Sequence, residues 1–412
     1  MDLELRAIEP DEFTAFSRAV ESAFGHTPND AEVDAWRNVT EFDRTIAIFD
    51  RSRIVATGGA FTMQLTVPGG GTVPTAGVTA VSVATSHRRR GLLSAMMSHQ
   101  LDDVARRGEP IAVLTASESV IYGRFGYGLG TSFLSTRIAQ PNGGFVQPIA
   151  DAGGCRQVDV DEAGILLPAV FDAYRAGQPG EVSRSEAMWH QRLSDLEVWR
   201  EGASGFFHVV HEDERGVADG YLTYRVRGHW TGAHLPGSTV EIDELVAATP
   251  LARRALWRHA LSIDLATAVT AFNVPLDDPV RWELADPRRL EITAMADHLW
   301  ARLLDVPASL AARTYATEDS LVIEATDRFR PGSRAEGRFA LGGGPGGAEC
   351  APTEAPADVA LGVAELGALF LGGVRATTLE RVGRVQELRP GALARLDAMF
   401  AIAPAPFCAT HF

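Results

Sequence analysis

The chain has 412 residues, 46% of them apolar, and a formal net charge of −15. That length exceeds one hydrophobic core, so two or three folded domains are expected, with no long disordered arm. The acidic balance disfavours nucleic acid as a partner, because a phosphate backbone is held by excess positive charge.

The longest apolar run, Val359 to Val374, is interrupted by Glu365 and four glycines. It falls short of the ~20 residues that span a bilayer, so it reads as a buried helix and no membrane partner is expected. Cys155, Cys350 and Cys408 are odd in number and far apart, with no CxxC pair. That argues against a disulfide framework and against zinc, and makes a reducing cytoplasm the default. The opening Met1-Asp2-Leu3-Glu4 has no basic region followed by an apolar core, so no secretory signal is expected. Lysine is absent: every basic side chain outside the histidines is arginine. GC-rich codon usage explains this most simply; the alternative is that the chain offers no ε-amine of its own for modification.

From Leu3 to Gln140 the pattern is mixed α/β. A strand over Leu3 to Ile8 precedes helices over Phe13 to Phe24 and Ala31 to Val39, then strands over Thr45 to Phe49 and Ile54 to Val67. The run Val81-Ser82-Val83-Ala84-Thr85-Ser86-His87-Arg88-Arg89-Arg90-Gly91-Leu92-Leu93 passes from strand through a basic turn into an amphipathic helix carrying Leu92, Leu93, Met96, Leu101 and Val104. A helix start leaves backbone N–H groups unpaired and carries partial positive charge, so it receives phosphate oxygens where nothing bulky intervenes. Gly91 removes the bulk, and Arg88, Arg89 and Arg90 add permanent charge with forked donors. The plain alternative is a basic helix start on a solvated face.

A strand over Ala112 to Thr115 and a short helix over Ile121 to Phe125 follow, with Ser117 or Ser119 as its cap. Tyr122 sits in that helix. A phenol near pKa ~10 is close enough to a thiol to share a proton with it, so Tyr122 is a candidate acid. Core packing is the competing role for any aromatic in this run, and Phe125 and Tyr127 are expected to pack. No Gly-x-Ser-x-Gly elbow occurs, and the eleven histidines have no paired metal-ligand spacing, so no metal is expected; His208 and His211 are placed in a strand pair near a turn.

Pro141-Asn142-Gly143-Gly144 reads as a linker. Beyond it, Leu245 to Trp257 can be laid on Val81 to Leu93 at a constant offset, matching Ala84-Thr85 with Ala248-Thr249 and Arg89-Arg90 with Arg253-Arg254. In this second copy Ala252 replaces Arg88 and Ala255 replaces Gly91. A duplicated fold whose second loop has decayed into scaffold is expected, against chance similarity of a strand-to-helix junction. From Leu290 the pattern reads strand, helix (Ala294 to Leu304), hairpin strands (Leu321 to Thr326 and Gly337 to Leu341), and helices near Val363 to Leu371 and Gly391 to Phe400. The glycines at 342–344, 346 and 347 sit between strands and are rejected as a phosphate loop.

Arg88 to Leu93 resembles the acyl-CoA loop of GNAT acetyltransferases: Gln or Arg, two residues, Gly, one residue, then Gly or Ala. Leu93 departs from the small final residue. Through Pro74-Thr75-Ala76-Gly77, His87 to Leu93, Ala116-Ser117-Glu118, Ile121 to Gly128 and the final Phe412, essentially the whole chain resembles the Eis family of bacterial N-acetyltransferases. The resemblance implies an α/β (α+β) fold: an N-terminal GNAT domain (1–142), a central GNAT-like domain with a degenerate loop (143–288) and a C-terminal sterol-carrier-protein-like domain (289–412), assembled as a homohexamer.

It also implies roles for individual residues. Val81, Ser82 and Val83 would hold the acetyl and pantetheine arm of acetyl-CoA, a backbone N–H polarising the carbonyl. Arg89, Arg90, Gly91, Leu92, Leu93 and Ser94 would hold the pyrophosphate, with Ser117 and Glu118 along the arm. Tyr122 aligns with the proton donor, and the terminal carboxylate of Phe412 with the proton acceptor. Phe24 and Trp36 fall where the family lines its acceptor pocket, with core packing as the alternative for each. His411 stands there in place of an acidic residue, removing one negative charge.

The function implied is direct acetyl transfer from acetyl-CoA to a small-molecule primary amine, with aminoglycoside-like polyamines as the leading class; without a suitable Cys, Ser or Lys nucleophile near the motif, a ternary complex is more economical than an acetyl-enzyme. Protein lysines or N-termini are the rival acceptors. A non-enzymatic carrier of apolar ligands is the alternative of a different class.

Overall fold

The computed structural model describes residues 3–139, 144–149 and 151–412. Pro141, Asn142 and Gly143 of the expected linker, and Met1 and Asp2, lie outside the described residues. The chain divides into two compact units, Met1–Thr131 together with Asp297–Phe412, and Ser132–Ala296.

The first unit begins with β1 (Leu3–Ala7), α1 (Phe13–Ala23), α2 (Asp30–Val39) and β2 (Ile46–Asp50). A reciprocal box starts α2: the Glu32 N–H donates to Asn29 Oδ1 (3.0 Å) and the Asn29 N–H to Glu32 Oε2 (2.9 Å). Phe13, Phe16 and Val33 from the two helices close over Ala47 and Phe49 of β2. A long hairpin, β3 (Arg53–Thr66) and β4 (Thr72–Val83), leads into α3 (Leu92–Arg106), which crosses over to β5 (Ile111–Thr115), parallel to β4. The buried face of α3 carries Leu92, Met96, Leu101 and Val104, as the apolar spacing predicts, together with Met97, whereas Leu93 is half-buried. β6 is the short Gly128–Leu129.

The second unit runs β7 (Ser132–Ala139), β8 (Gly154–Val158), α4 (Val160–Arg175), α5 (Glu186–Leu193), β9 (Phe207–Glu212), β10 (Ala218–Arg227), β11 (Ser238–Ala247), α6 (Pro250–Leu261), β12 (Ala266–Val274), α7 (Val280–Glu283) and β13 (Leu290–Asp297). Its seven strands are ordered β13-β7-β12-β11-β10-β9-β8. The internal repeat is structural. β11 and β12 are parallel across α6 as β4 and β5 are across α3, and the last pairs, Ile242↔Ala271 and Val78↔Leu114, fall at the same offset along β11 and β4. Here, however, the helix starts at Pro250. Thr249 caps it, its Oγ1 accepting the Ala252 N–H at 3.1 Å and donating to Asp219 Oδ2 at 2.7 Å. The stretch that is a loop in the first copy is thus helix in the second, with Ala252 buried, Arg253 paired to Asp278, and Arg254 paired to Glu283 at 3.0 Å. His208 and His211 lie on β9, paired with β10, as expected.

The chain returns to the first unit as β14 (Leu299–Leu303), which pairs antiparallel with both β5 and β6. The sheet order is β1-β2-β3-β4-β5-β14-β6. The expected helix over Ala294 to Leu304 is therefore corrected to the end of β13 followed by β14. Leu299, Trp300, Leu303 and Leu304 have helical spacing, but a short strand buried on both faces has no alternation to betray it. After α8 (Val306–Ala311), the sheet β17-β16-β15-β18-β19 is built from β15 (Asp319–Thr326), β16 (Gly337–Gly344), β17 (Gly347–Pro352), β18 (Val359–Gly362) and β19 (Val385–Glu387), with α9 (Val363–Phe370), α10 (Ala376–Glu380) and α11 (Ala392–Phe400). The apolar run read as one helix is β18 followed by α9, the glycine at 362 marking the change. The glycine-rich segment forms the β16–β17 hairpin, Gly344 opposite Gly347.

Candidate active site

The site grows from a defect in the β3–β4 hairpin. Pairing runs Gly59↔Thr79 and then Thr57↔Ser82, so β4 carries extra chain there, with Ala80 at φ 53°. The Thr57 hydroxyl donates to the Ala80 carbonyl (2.8 Å); its single proton spent, it accepts from Ser82 Oγ (2.6 Å). The bulge is thereby pinned. β4 and β5 part after Val78↔Leu114, and residues 79–83 of β4 run on without β5 beside them.

From the end of β4 the chain makes a 3-10 turn, Thr85–His87, fastened by the Ala84 N–H to Val55 O (2.9 Å) and by His87 Nε2 near Asp50 Oδ2 (3.4 Å). Arg89 follows at φ 63° and Gly91 at φ 80°, ψ 0°. Nothing lies within 4 Å of where a Gly91 Cβ would stand. Within the protein, then, the glycine answers a left-handed backbone rather than a crowded one. No side chain caps α3, whose first intrahelical bond is Ala95 N–H to Gly91 O, so the N–H groups of Leu92, Leu93 and Ser94 precede the ladder.

A cavity of about 420 Å³ opens at this point. Its walls are Val81 to Val83, His87, Arg88, Arg89, Gly91 to Ser94, Ser117, Glu118, Ile121, Tyr122 and Arg124, with Ala23 and Phe24 from the end of α1. Of the residues singled out from the sequence, all those placed on acetyl-CoA except Arg90 line it, as do Tyr122 and Phe24. Trp36 instead packs against the Phe13–Phe16 core. Arg124 joins Arg88 and Arg89 as a third guanidinium; among the described residues, none of the three has a carboxylate partner. Its position two residues after Tyr122 on the same turn was the available signal.

Tyr122 is 6% exposed and lies in the 3-10 turn Tyr122–Phe125, its ring edge-on to Tyr127 at 6.1 Å. Burial, and then the Glu118 carboxylate, raise its phenol above the usual range, so it keeps its proton at neutral pH. The expected serine caps are not used: Ile121 occupies the cap position and no side chain bonds there. The turn is held from the C-terminal segment. Buried Arg302 on β14 donates to the Phe125 carbonyl and, at 2.5 Å, to Asp327, while Phe329 meets the Phe125 ring at 4.9 Å. Phe125 and Tyr127 are core residues, as expected.

The chain ends beside these elements. Thr115, the last residue of β5 and two before Ser117, donates from Oγ1 to an oxygen of the Phe412 terminal carboxylate at 3.2 Å. The Phe412 ring stands edge-on to Phe61 at 6.5 Å. A Cβ on Gly77 would come within 2.6 Å of Met63 Sδ and 3.1 Å of Phe412 Cε2, so that glycine does clear space. His411 is exposed and not in the cavity wall; its Nδ1 is 3.2 Å from His298 Nε2. Among the described residues no group of three or more His, Cys, Asp or Glu is placed to hold a metal ion, and no helix is long and apolar enough to cross a membrane.

A bulged strand that parts from its parallel neighbour beside an uncapped, glycine-led helix, present once intact and once decayed, defines a tandem GNAT acetyltransferase. Family models agree: the acetyltransferase (GNAT) domain matches residues 4–130, a second acetyltransferase (GNAT) model matches 180–303, and the sterol carrier protein domain matches 306–409. The chain is 41% identical over 415 residues to an N-acetyltransferase of Streptomyces avermitilis, covering 99% of both. It is 35% identical over 381 residues, 89% of each chain, to N-acetyltransferase Eis of Mycobacterium tuberculosis. The crystal structure of Eis1 from Mycobacterium abscessus superposes with a TM-score of 0.87 at 34% identity, covering 99% of this chain and all of that one. The chain belongs to the Eis family of N-acetyltransferases.

Proposed function

We propose that the protein transfers acetyl from acetyl-CoA directly to a primary amine of a small molecule, with aminoglycoside-like polyamines as the leading acceptors. The observation that carries this is the junction of three features at one cavity: the open edge of β4, the free N-terminus of α3 with Arg88 and Arg89, and a phenol held protonated. Unpaired N–H groups, helix dipole and guanidinium forks together suit a pyrophosphate, and the parted strands leave a slot for a narrow amide-bearing arm. Arg90 completes the basic turn. Acetyl-CoA supplies the activated acyl group. The backbone of Val81 to Val83 orients the thioester carbonyl, and Ser117 and Glu118 flank the arm.

An amine is cationic at neutral pH and must shed a proton before its nitrogen bonds the acyl carbon. The carboxylate of Phe412 takes that proton; at pKa ~3.5 in water it is a weak base, and a desolvated site strengthens it. As the carbon–sulfur bond breaks, Tyr122 gives its proton to the leaving sulfur, and the second proton that the nitrogen loses on becoming an amide restores the phenol, so that one proton in all leaves through the carboxylate. Its raised pKa makes it a partner that shares the proton at the transition state rather than one that surrenders it early. Phe24, exposed at the cavity wall, offers an apolar face to the acceptor, whereas Trp36 packs in the Phe13–Phe16 core and does not line it. We further propose a homohexamer, and domain limits of 1–142, 143–288 and 289–412.

Thiol release from acetyl-CoA, measured with neomycin, spermidine and a lysine-containing peptide, tests this reading. Turnover with the first two is expected, with loss on Tyr122→Phe and on extending the chain past Phe412, which turns the carboxylate into an amide. Calorimetry detecting no uptake of acetyl-CoA, or turnover of the peptide alone, would overturn it.

A further inference from the structure

Burying an imidazole costs its hydration, and the loss is tolerated only where bonds replace it. His298 is 3% exposed and does not line the cavity. Its Nε2 meets His411 Nδ1 at 3.2 Å with ring centroids 4.3 Å apart, so this contact runs to the chain's own tail. Burial and the neighbouring His411 push the ring down to about 3, keeping it neutral and so able to offer a lone pair.

The location matters as much as the bond. Thr115 and Leu299 are cross-strand partners on β5 and β14. Thr115 holds Phe412, and His298, the residue just before Leu299, holds His411. Consecutive tail residues are thus fixed by one end of one strand pair. That end is itself anchored, since His298 N–H donates to Thr131 O (2.9 Å) and Leu299 N–H to Thr131 Oγ1 (3.0 Å). Upstream, Phe407 to Thr410 are buried, with Cys408 Sγ donating to Thr410 O at 3.4 Å. With the tail seated on one side and a single residue beyond His411, the terminal carboxylate is held twice, directly by Thr115 Oγ1 and through the backbone from where His411 is held.

We propose that His298 is a positioning residue: through its bond to His411 it fixes the terminal carboxylate of Phe412 where the acceptor's proton arrives. This rests on the reading of that carboxylate as the proton acceptor. An aromatic replacement fills the space without offering a lone pair, whereas an amide keeps an acceptor; only the second should restore geometry.

The test measures kcat and KM with acetyl-CoA and the fastest amine of the panel above. His298→Phe is expected to lower kcat about ten- to a hundredfold, as a misplacement near 1 Å does, with KM for acetyl-CoA little changed; His298→Gln should recover most of the loss. His411→Ala, at an exposed position, should reproduce the loss, and the double variant should add little to either. The inference is overturned if His298→Phe and His411→Ala keep wild-type kcat, if Gln is as poor as Phe, or if the two losses multiply. Should His298→Phe fail to fold, His411→Ala alone decides by the same kcat criterion. Extension past Phe412 separates the two levels. Unchanged kcat there removes the terminal-base reading and this inference with it, whereas loss there with wild-type kcat in His298→Phe removes this inference alone.

Discussion

Gly91 tests what the helix start is built for. Its φ of 80° and ψ of 0° lie in the left-handed region, and no protein atom stands within 4 Å of an added Cβ. Alanine there would meet no clash inside the protein, so its cost is conformational, about 1–2 kcal/mol. The neighbouring Arg89 is also left-handed at φ 63°, so the loop already holds one strained residue and has an incentive to relax away when a second is added. If it relaxes on losing its ligand and must be restored to bind one, the same 1–2 kcal/mol appears as an approximately 5- to 30-fold weaker Kd for acetyl-CoA. Asparagine tolerates the left-handed region better than alanine but is larger. Calorimetric titration of Gly91→Ala and Gly91→Asn therefore separates the causes: backbone conformation predicts that Asn binds more tightly than Ala, and steric obstruction of the cosubstrate predicts the reverse. Asn weaker than Ala, or both equal to wild type, would refute the conformational argument.

Tyr122→Phe should lower kcat about a hundredfold or more with little change in KM for acetyl-CoA, read in the thiol-release assay. In the second unit, burial alone would raise the Glu244 carboxyl, but Arg184 and Arg192 outweigh it and hold it at about 2. With an unfolded value near ~4.3, its stabilisation is full above that pH and lost as pH falls towards 2. Glu244→Gln, which removes the carboxylate charge facing buried Arg184 and Arg192, should cost about 3–5 kcal/mol in denaturant unfolding and flatten that acid dependence. Burial lowers His211 while Asp219 and Asp151 raise it by more, for a net rise. Its contribution is thus present below an unfolded value of ~6.5 and lost as pH rises through the folded one, and His211→Asn should remove this alkaline loss in chemical denaturation.

The strand-to-helix junction was legible in the sequence because local chemistry fixes it: an apolar strand, a basic turn, one glycine and a 3.6-residue apolar stripe are all written within Val81 to Val104. The duplication was legible for the same reason, and Ala252 and Ala255 already marked the decay. What stayed hidden depends on residues far apart in the chain. Asp278 and Glu283, which neutralise Arg253 and Arg254, carry no local signal of their partners. Leu299 to Leu303 gave helical spacing because both faces are buried, and only the pairing with β5 and β6 makes a strand of it. Phe24 and Trp36 were indistinguishable as aromatics on consecutive helices; α1 ends at Ala23, so Phe24 falls past the helix onto the cavity wall, while Trp36 faces the core.

The place of β14 has a consequence for how the chain comes off the ribosome. It lies between β5 and β6, so the catalytic sheet lacks an interior member until residue 303 has emerged, long after residue 129. Closing that loop around the whole second unit carries an entropic cost that grows only slowly with length, yet such distant pairing is slow to form. Nascent chains halted between these two points should hold an incomplete amino-terminal half with an open strand edge, and shortened versions of the gene that stop before residue 303 should yield aggregates rather than a small working enzyme.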